Sequence, residues 1–311
     1  DLHYPLRRQR QMCIRDRNNK VGMYMFLGID IGGTSIKFAV IDNNYKIVHY
    51  ETCKTPDNVT TKITDEMFRI ASKIRESYNF TAAGISAAGV IDNVNMEVIR
   101  SAPTIKNYLG TNFKKDFGDR LGIDVYADND VNCALLGEQW LGGAKGLDEV
   151  FCMALGTGIG GAYYLTSLPF GSNFSVGEIG QSVYDADTDT TYEQRASTIA
   201  LDRKIKAEMY EGLSVIEFFD LCKRDDSTAL KVLDEWLYEV ARGIVNLLCI
   251  LDPKYIVIGG AVSAQGDYLL NKLEAKVREL HPIKINKTKF LAAELGNDAA
   301  LYGAISPFVK K

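Results

Sequence analysis

Three glycine-rich segments are the first residues in this sequence that suggest chemistry. Two share one plan, an apolar strand, a glycine turn with a threonine and a second strand, over residues 27–41 and 153–166. The third, Ile258-Gly259-Gly260, precedes another helical pattern. Glycine turns let backbone N–H groups approach phosphate oxygens closely, and a neighbouring threonine hydroxyl adds a donor. The repeated plan predicts phosphate binding between two related halves of the chain.

Two other phosphate-binding motifs are disfavoured. Residues 156–161 (GTGIGG) match the spacing G-x-G-x-x-G of dinucleotide-binding folds. That motif requires a following helix, whereas the next residues, AYYLT, are typical of a strand. The P-loop sequence GK followed by Ser or Thr does not occur. We therefore expect glycine hairpins rather than a nucleotide-binding helix turn.

Any general base is expected to be a carboxylate, because the chain contains only three histidines. Asp130 lies at the end of a predicted strand (123–130), immediately before a predicted helix (131–141). A hydroxyl nucleophile needs such a positioned carboxylate, and the helix dipole would help to keep it ionised. The alternative is that Asp130 is an ordinary N-cap. Both roles are compatible with the sequence.

The elements that must position these residues alternate between strand and helix. Apolar runs predict strands at 25–34, 36–42, 46–54, 82–89 and 255–260, and helical spacing appears at 60–76, 113–122, 227–251, 266–280 and 298–309. Asn43-Asn44 is a predicted hairpin turn. This alternation indicates an α/β architecture.

Composition narrows the class of protein. The 311 residues carry a net charge of −4, which argues against a nucleic-acid partner. No apolar run is long enough to cross a membrane, and six scattered cysteines indicate a reduced, cytoplasmic protein. Residues 1–22 are exceptional, with six basic and two acidic residues. We interpret them as a foreign or disordered extension rather than a nucleic-acid-binding arm, and expect the natural start at Met23 or Met25.

The motifs together resemble a known family. DIGGT (30–34), LGTGIGG (155–161) and IGGAVS (258–263) look like the phosphate-1, phosphate-2 and adenosine segments of actin-like ATPases and sugar kinases. NDVNCALLGE (129–138) and GEIGQ (177–181) narrow the resemblance to the ROK (repressor, ORF, kinase) family. The resemblance runs from Met25 to the end and implies an ATP-dependent sugar kinase that uses magnesium.

The resemblance also implies roles for individual residues. Asp130 would be the base that activates the sugar hydroxyl, and Asp30 would orient magnesium on ATP. The implied sugar ligands are Gly89, Thr104, Asn129, Asp130, Glu178, Gln181 and Glu193. The implied ATP-binding residues are Asp30, Gly32, Gly33, Thr34, Lys37, Gly156, Thr157, Gly158, Gly259 and Gly260.

One departure from the family concerns zinc. Many ROK kinases continue from E-x-G-H into a cysteine-rich zinc loop, whereas here Gln181 replaces the histidine and residues 182–194 contain no cysteine. We therefore expect no zinc site. Gln181 can still donate and accept hydrogen bonds to a sugar, but it cannot act as a metal-bound histidine.

The resemblance leaves the substrate open. The segments 102–113, 129–138 and 190–198 look most like N-acetylmannosamine kinases, which make N-acetylmannosamine 6-phosphate in sialic acid breakdown. A glucokinase or β-glucoside kinase is the alternative. A non-catalytic sugar-sensing protein is a more distant one, since the family's repressors carry an additional N-terminal DNA-binding domain.

The expected fold is a two-domain α/β fold of the actin-like ATPase and sugar kinase (ribonuclease H-like) type, with a cleft between the domains. Residues 23–127 plus 298–311 would form the small domain, and residues 128–297 the large one. Sugar and ATP would meet in the cleft. The family resemblance also implies a homodimer, for which the helices of residues 227–280 are candidates.

Overall fold

The computed structural model describes residues 24–101, 105–169, 171–185, 187–284 and 286–309. Two predictions lie outside these residues, namely the extension at 1–22 and the sugar ligand Thr104. The described strands are β1 (Met25–Ile31), β2 (Ser35–Ile41), β3 (Ile47–Lys54), β4 (Phe80–Ala87), β5 (Val90–Asp92), β6 (Glu97–Arg100), β7 (Asp124–Asn129), β8 (Val150–Leu155), β9 (Ile159–Tyr164), β10 (Val183–Asp185), β11 (Thr190–Thr191), β12 (Tyr255–Gly259) and β13 (Lys289–Ala292).

Five of the described helices match segments predicted from the sequence, one predicted helix differs in type, and the three helices between residues 192 and 223 were not predicted individually. The described helices are α1 (Ile63–Arg75), α2 (Asp119–Leu121), α3 (Asp130–Leu141), α4 (Tyr192–Ala196), α5 (Thr198–Glu208), α6 (Val215–Lys223), α7 (Ser227–Leu251), α8 (Asp267–Leu280) and α9 (Ala299–Val309). The helix predicted at 113–122 is a π-helical turn, Lys114–Gly118, that continues into α2. Its end at Gly122, where φ is +66°, is as predicted.

Two sheets share one local arrangement. The first has the order β3-β2-β1-β4-β7, and the second has the order β13-β12-β8-β9. In the first, β1 is antiparallel to β2 and parallel to β4. In the second, β8 is antiparallel to β9 and parallel to β12. The two glycine turns therefore occupy equivalent places, as the repeated sequence plan predicts. We call β1–β2 and β8–β9, with their turns, the first and second glycine hairpins.

The strand β9 settles the nature of the GTGIGG motif. Ile159–Tyr164 pairs antiparallel with β8, so that a strand and not a helix follows the glycines. The dinucleotide-binding alternative is excluded on that ground.

Helix α3, which carries Asp130, lies between the two sheets. Val131 and Leu135 pack in a buried cluster with side chains of the second sheet. On another side, α3 crosses α9 so closely that a Cβ atom on Gly303 would lie 1.6 Å from the carbonyl oxygen of Cys133. Helix α9 in turn packs on the first sheet, where Gly84 leaves no room for a side chain against Ala304. Asp130 thus belongs to a helix that is buried against both halves of the molecule.

Candidate active site

The turn between β7 and α3 positions the predicted base. Asn129 is the N-cap of α3, and its Oδ1 accepts hydrogen bonds from the backbone N–H groups of Val131 (2.9 Å) and Asn132 (3.3 Å). Its Nδ2 donates to the carbonyl oxygen of Gly89 at 2.9 Å. The capping role considered for Asp130 therefore belongs to Asn129. Asp130 is the first helical residue, and its Oδ1 accepts from the N–H of Val131 at 2.9 Å.

The carboxyl group of Asp130 is poised to exchange a proton near neutral pH. The residue keeps some solvent exposure but lies deep among protein atoms, and its pKa is raised to about 6, chiefly by this burial. The neighbouring carboxylates Asp30 and Glu178 contribute to this rise, while hydrogen bonds from Val131 and Asn129 oppose it. The expected stabilisation of the ionised form by the helix N-terminus is thus outweighed. A base needs a pKa in this range to accept a proton efficiently.

A buried polar network beneath this turn was not predicted. Asp128, 1% exposed, accepts hydrogen bonds from Asn93 Nδ2 (2.8 Å), Tyr126 Oη (2.5 Å), Asn132 Nδ2 (2.8 Å) and its neighbour's N–H (2.7 Å). Burial raises the pKa of Asp128, and these donors offset part of that effect. The network joins β7, α3 and the hairpin of β5 and β6. The only sequence signal for this network was Asp128 itself, a third polar residue directly before Asn129 and Asp130.

The first glycine hairpin brings Asp30 and Lys37 together. Asp30 Oδ2 pairs with Lys37 Nζ at 2.9 Å, and Asp30 Oδ1 accepts from Ser86 Oγ at 2.8 Å. Burial opposes protonation of Lys37, but the attraction of Asp30 outweighs it and raises the pKa of Lys37. The turn residues Gly33 and Thr34 are exposed. Gly32 is held inside the turn, where its carbonyl oxygen accepts from Thr55 Oγ1 at 2.6 Å.

The second glycine hairpin lies against Glu193 and Gly260. Its turn is closed by a hydrogen bond from Gly156 N–H to the carbonyl oxygen of Gly158 at 3.0 Å, with Thr157 exposed at the tip. A Cβ atom on Gly158 would lie 2.2 Å from Glu193 Oε2. Gly260, with φ at +87°, approaches the end of β8 and also leaves no room for a side chain. Gly259, buried, ends β12 immediately before it.

The two predicted sugar-binding glutamates are close enough to influence each other. Burial raises the pKa of Glu178, Arg100 opposes this shift and Glu193 reinforces it. Arg100 Nη1 lies 4.0 Å from Glu178 Oε2, so that an arginine of the β5–β6 hairpin faces a carboxylate of the other half of the chain. Arg100 was not predicted. Gln181 is exposed at the end of the short turn that follows Glu178.

The charges of the site therefore converge from both halves of the chain. Asp30 belongs to the first sheet, Asp130 to the helix between the sheets, and Glu178 and Glu193 to segments that follow strand β9 of the second sheet. The residue roles remain predictions, but their juxtaposition is a property of the fold. A separate cavity of about 720 Å³, near the end of α7 and the start of β13, is lined by none of the predicted site residues.

The described residues form neither a metal-ligand cluster nor a membrane-spanning helix. Within the described ranges, no group of three or more His, Cys, Asp or Glu side chains is arranged to hold a metal ion. The absence of zinc stays a prediction. None of the described helices has the length and apolar character needed to span a membrane.

Comparison with known proteins identifies the class. The ROK family matches residues 26–311, and the chain belongs to this family. It is 26% identical to the glucokinase of Thermotoga maritima over 90% of this chain and 96% of that protein.

Two solved structures show the same two-domain α/β fold over nearly the whole chain. One is the ROK glucokinase of Streptomyces griseus in complex with glucose and AMPPNP, with a TM-score of 0.78, 27% identity and coverage of 92% of this chain and 99% of that one. The other, described as a candidate N-acetylmannosamine kinase from Listeria monocytogenes, has a TM-score of 0.80, 25% identity and coverage of 92% and 99%. The protein is an ATP-dependent sugar kinase of the ROK family.

Proposed function

We propose that this kinase transfers the γ-phosphoryl group of ATP to the 6-hydroxyl of N-acetylmannosamine, with Asp130 as the general base. The observation that carries the proposal is the position of Asp130. Its carboxyl group interacts electrostatically with Asp30 of the first glycine hairpin and with Glu178 of the predicted sugar site. A base in that position lies between the groups assigned to the nucleotide and those assigned to the sugar.

The reaction requires the protein to position the two substrates and to accept one proton. Phosphoryl transfer depends mainly on alignment and charge neutralisation. Glu178 and Glu193 would accept hydrogen bonds from sugar hydroxyls and so orient the ring. The sugar O6 then forms a bond to the γ-phosphorus as the bond to the bridging oxygen of ADP breaks, and the hydroxyl proton passes to Asp130.

The residues of the first glycine hairpin fit a magnesium ion bound with ATP. Magnesium prefers one or two carboxylates together with phosphate oxygens and water. Asp30 supplies a carboxylate at the end of β1, and Lys37 beside it supplies a positive charge for phosphate oxygens. Magnesium would neutralise phosphate charge during transfer.

The pH dependence of the reaction tests the proposed base. Because the pKa of Asp130 is raised to about 6, the protonated, inactive form accumulates below that pH. We expect kcat/KM for the sugar to be constant above about pH 7 and to fall about tenfold per pH unit well below 6. Glu178, whose pKa is also raised, would steepen the fall. A profile that stays flat down to pH 5, with the protein still folded, would contradict the assignment.

Gly89, which the family resemblance places near the C2 substituent of the sugar, supports an N-acetylated substrate. Gly89 follows β4 with φ at +98°, a conformation that side chains rarely adopt. Its carbonyl oxygen is held by Asn129 Nδ2, the neighbour of the proposed base. The backbone there presents no side chain, so that an acetamide on C2 of the sugar would meet no Cβ atom at this position. The competing interpretation is that Gly89 only permits the turn into β5.

A panel of sugars decides between these interpretations. We expect N-acetylmannosamine to exceed glucose in kcat/KM by about 10–200-fold, the discrimination available from filling one pocket and making one or two hydrogen bonds. Steady-state kinetics with coupled ADP detection on N-acetylmannosamine, N-acetylglucosamine, glucose and cellobiose would measure it. Equal or better turnover of glucose would reject the N-acetylmannosamine assignment and leave the kinase assignment intact.

Glucose is the second candidate substrate. The similarity to the Streptomyces griseus glucokinase, whose structure contains glucose and AMPPNP, favours it.

We also propose that the protein is a homodimer, with the long helices α7 and α8 as the candidate surface.

A further inference from the structure

The segment that carries Glu193 is firmly attached to the long helix α7. Tyr192 Oη donates to the carbonyl oxygen of Val240 at 2.7 Å, and its ring occupies the space that a side chain on Gly243 would take. Trp236 Nε1 donates to the carbonyl oxygen of Ala196 at 3.0 Å. Tyr192 and Trp236 are fully or almost fully buried. The short helix α4 therefore holds Glu193 in a fixed position.

A partly buried ion-pair network strengthens this attachment. Arg195 forms a two-point contact with Glu239 of α7, with N–O distances of 2.7 and 3.1 Å. A third nitrogen, Nη1, pairs with Asp185 of β10 at 3.0 Å. Bidentate arginine–carboxylate pairs are geometrically specific as well as strong. The network therefore anchors the chain before Glu193, through Asp185, and after it, through Arg195.

The segment that carries Glu193 also contacts the second glycine hairpin at two points. Glu193 Oε2 accepts a hydrogen bond from the N–H of Ile159 at 2.9 Å. Five residues later, the N–H of Thr198 donates to the carbonyl oxygen of Gly156 at 2.9 Å. The two contacts bracket the turn at Thr157, and the carboxylate reaches it because Gly158 has no side chain.

We propose that Glu193 is a positioning residue for the nucleotide as well as a sugar ligand, and so couples the two substrate sites. The inference rests on the proposed function, in which Glu193 binds the sugar. Oε2 is engaged by the hairpin, and among the described residues no hydrogen bond to Oε1 occurs, so that Oε1 can accept from a sugar hydroxyl. A sugar bound to Oε1 restrains the carboxylate, and the carboxylate restrains the turn that faces the ATP phosphates. Coupling of this kind is reciprocal, so each substrate tightens binding of the other.

Calorimetric titration with Mg–AMPPNP tests the proposal without turnover. For the wild-type chain, we expect saturating sugar, the best substrate of the panel, to tighten AMPPNP binding at least fivefold. Without sugar, Glu193→Ala should weaken AMPPNP binding about tenfold or more, as expected from losing a hydrogen bond to a charged group. Glu193→Gln, which keeps an acceptor oxygen for Ile159, should recover most of that loss.

The matched control is Glu178→Ala, which removes the other predicted sugar carboxylate. Among the described residues, the Glu178 carboxylate accepts no hydrogen bond from the second glycine hairpin, so sugar-free AMPPNP affinity should stay within about twofold of wild type. Gly158→Ala provides a second test, because its Cβ atom would displace the Glu193 carboxylate. We expect it to weaken AMPPNP binding as Glu193→Ala does, in a protein whose circular dichroism is unchanged.

The possible failures are distinguishable. If Glu193→Ala binds AMPPNP as tightly as wild type without sugar, the positioning role is wrong, even if its KM for sugar rises. If AMPPNP binding weakens as expected but no sugar of the panel is phosphorylated, the proposed substrate fails while the contact with the hairpin stands. Unchanged AMPPNP affinity of the wild-type chain with saturating sugar would reject the coupling.

Discussion

Asp130→Asn is expected to reduce kcat by about 10²–10⁴-fold while sugar binding is largely retained. The amide preserves the shape and the hydrogen bond to Val131 N–H but cannot accept the proton of the sugar hydroxyl. Steady-state kinetics with the preferred sugar, together with calorimetric sugar binding, would measure the two effects separately.

The stability of the same variant gives an independent check. The raised pKa of Asp130 means that the fold disfavours its ionised form, through burial and through repulsion from Asp30 and Glu178. Its charge therefore opposes folding above the pKa of an unfolded aspartate, and Asp130→Asn should melt at the same temperature as wild type or higher. More than about a tenth of wild-type kcat in the variant would mean that another group is the base.

The largest expected loss of stability follows from Glu138→Ala. This carboxylate is 1% exposed and accepts hydrogen bonds from the backbone N–H groups of Gly143 (2.8 Å), Glu294 (3.0 Å) and Leu295 (2.8 Å). Alanine would leave three donors without partners, at about 1–3 kcal/mol each. For a chain of this size, we expect the melting temperature to fall by roughly 5–15 °C.

Two matched variants sharpen this test. Glu138→Gln keeps one acceptor oxygen and should lie between alanine and wild type. Glu211→Ala removes an exposed glutamate and should change the free energy of unfolding by less than about 0.5 kcal/mol. Thermal and urea unfolding would measure all three. A fall of less than about 2 °C for Glu138→Ala would show that the segment around Leu295 finds other partners.

The sequence by itself determined the elements and the places where chemistry was expected. Apolar periodicity and glycine turns depend on neighbours along the chain, so the two hairpins, α3 and α7 were predictable, as was the rejection of the dinucleotide motif. The position of Asp130 between a strand and a helix follows from the same local signals. Family resemblance supplied the class of enzyme, which the comparisons confirm.

Only the tertiary structure decided which residues act on one another. That Asn93 donates to Asp128, that Asn129 Nδ2 donates to Gly89 and that Arg100 faces Glu178 depend on contacts between distant segments. The same holds for Gly158, whose missing side chain admits a carboxylate 35 residues further along the chain. The pKa of Asp130 also depends on burial and on charges from both halves of the chain. Burial and long-range distances have no counterpart in local sequence, and for that reason these features required the fold.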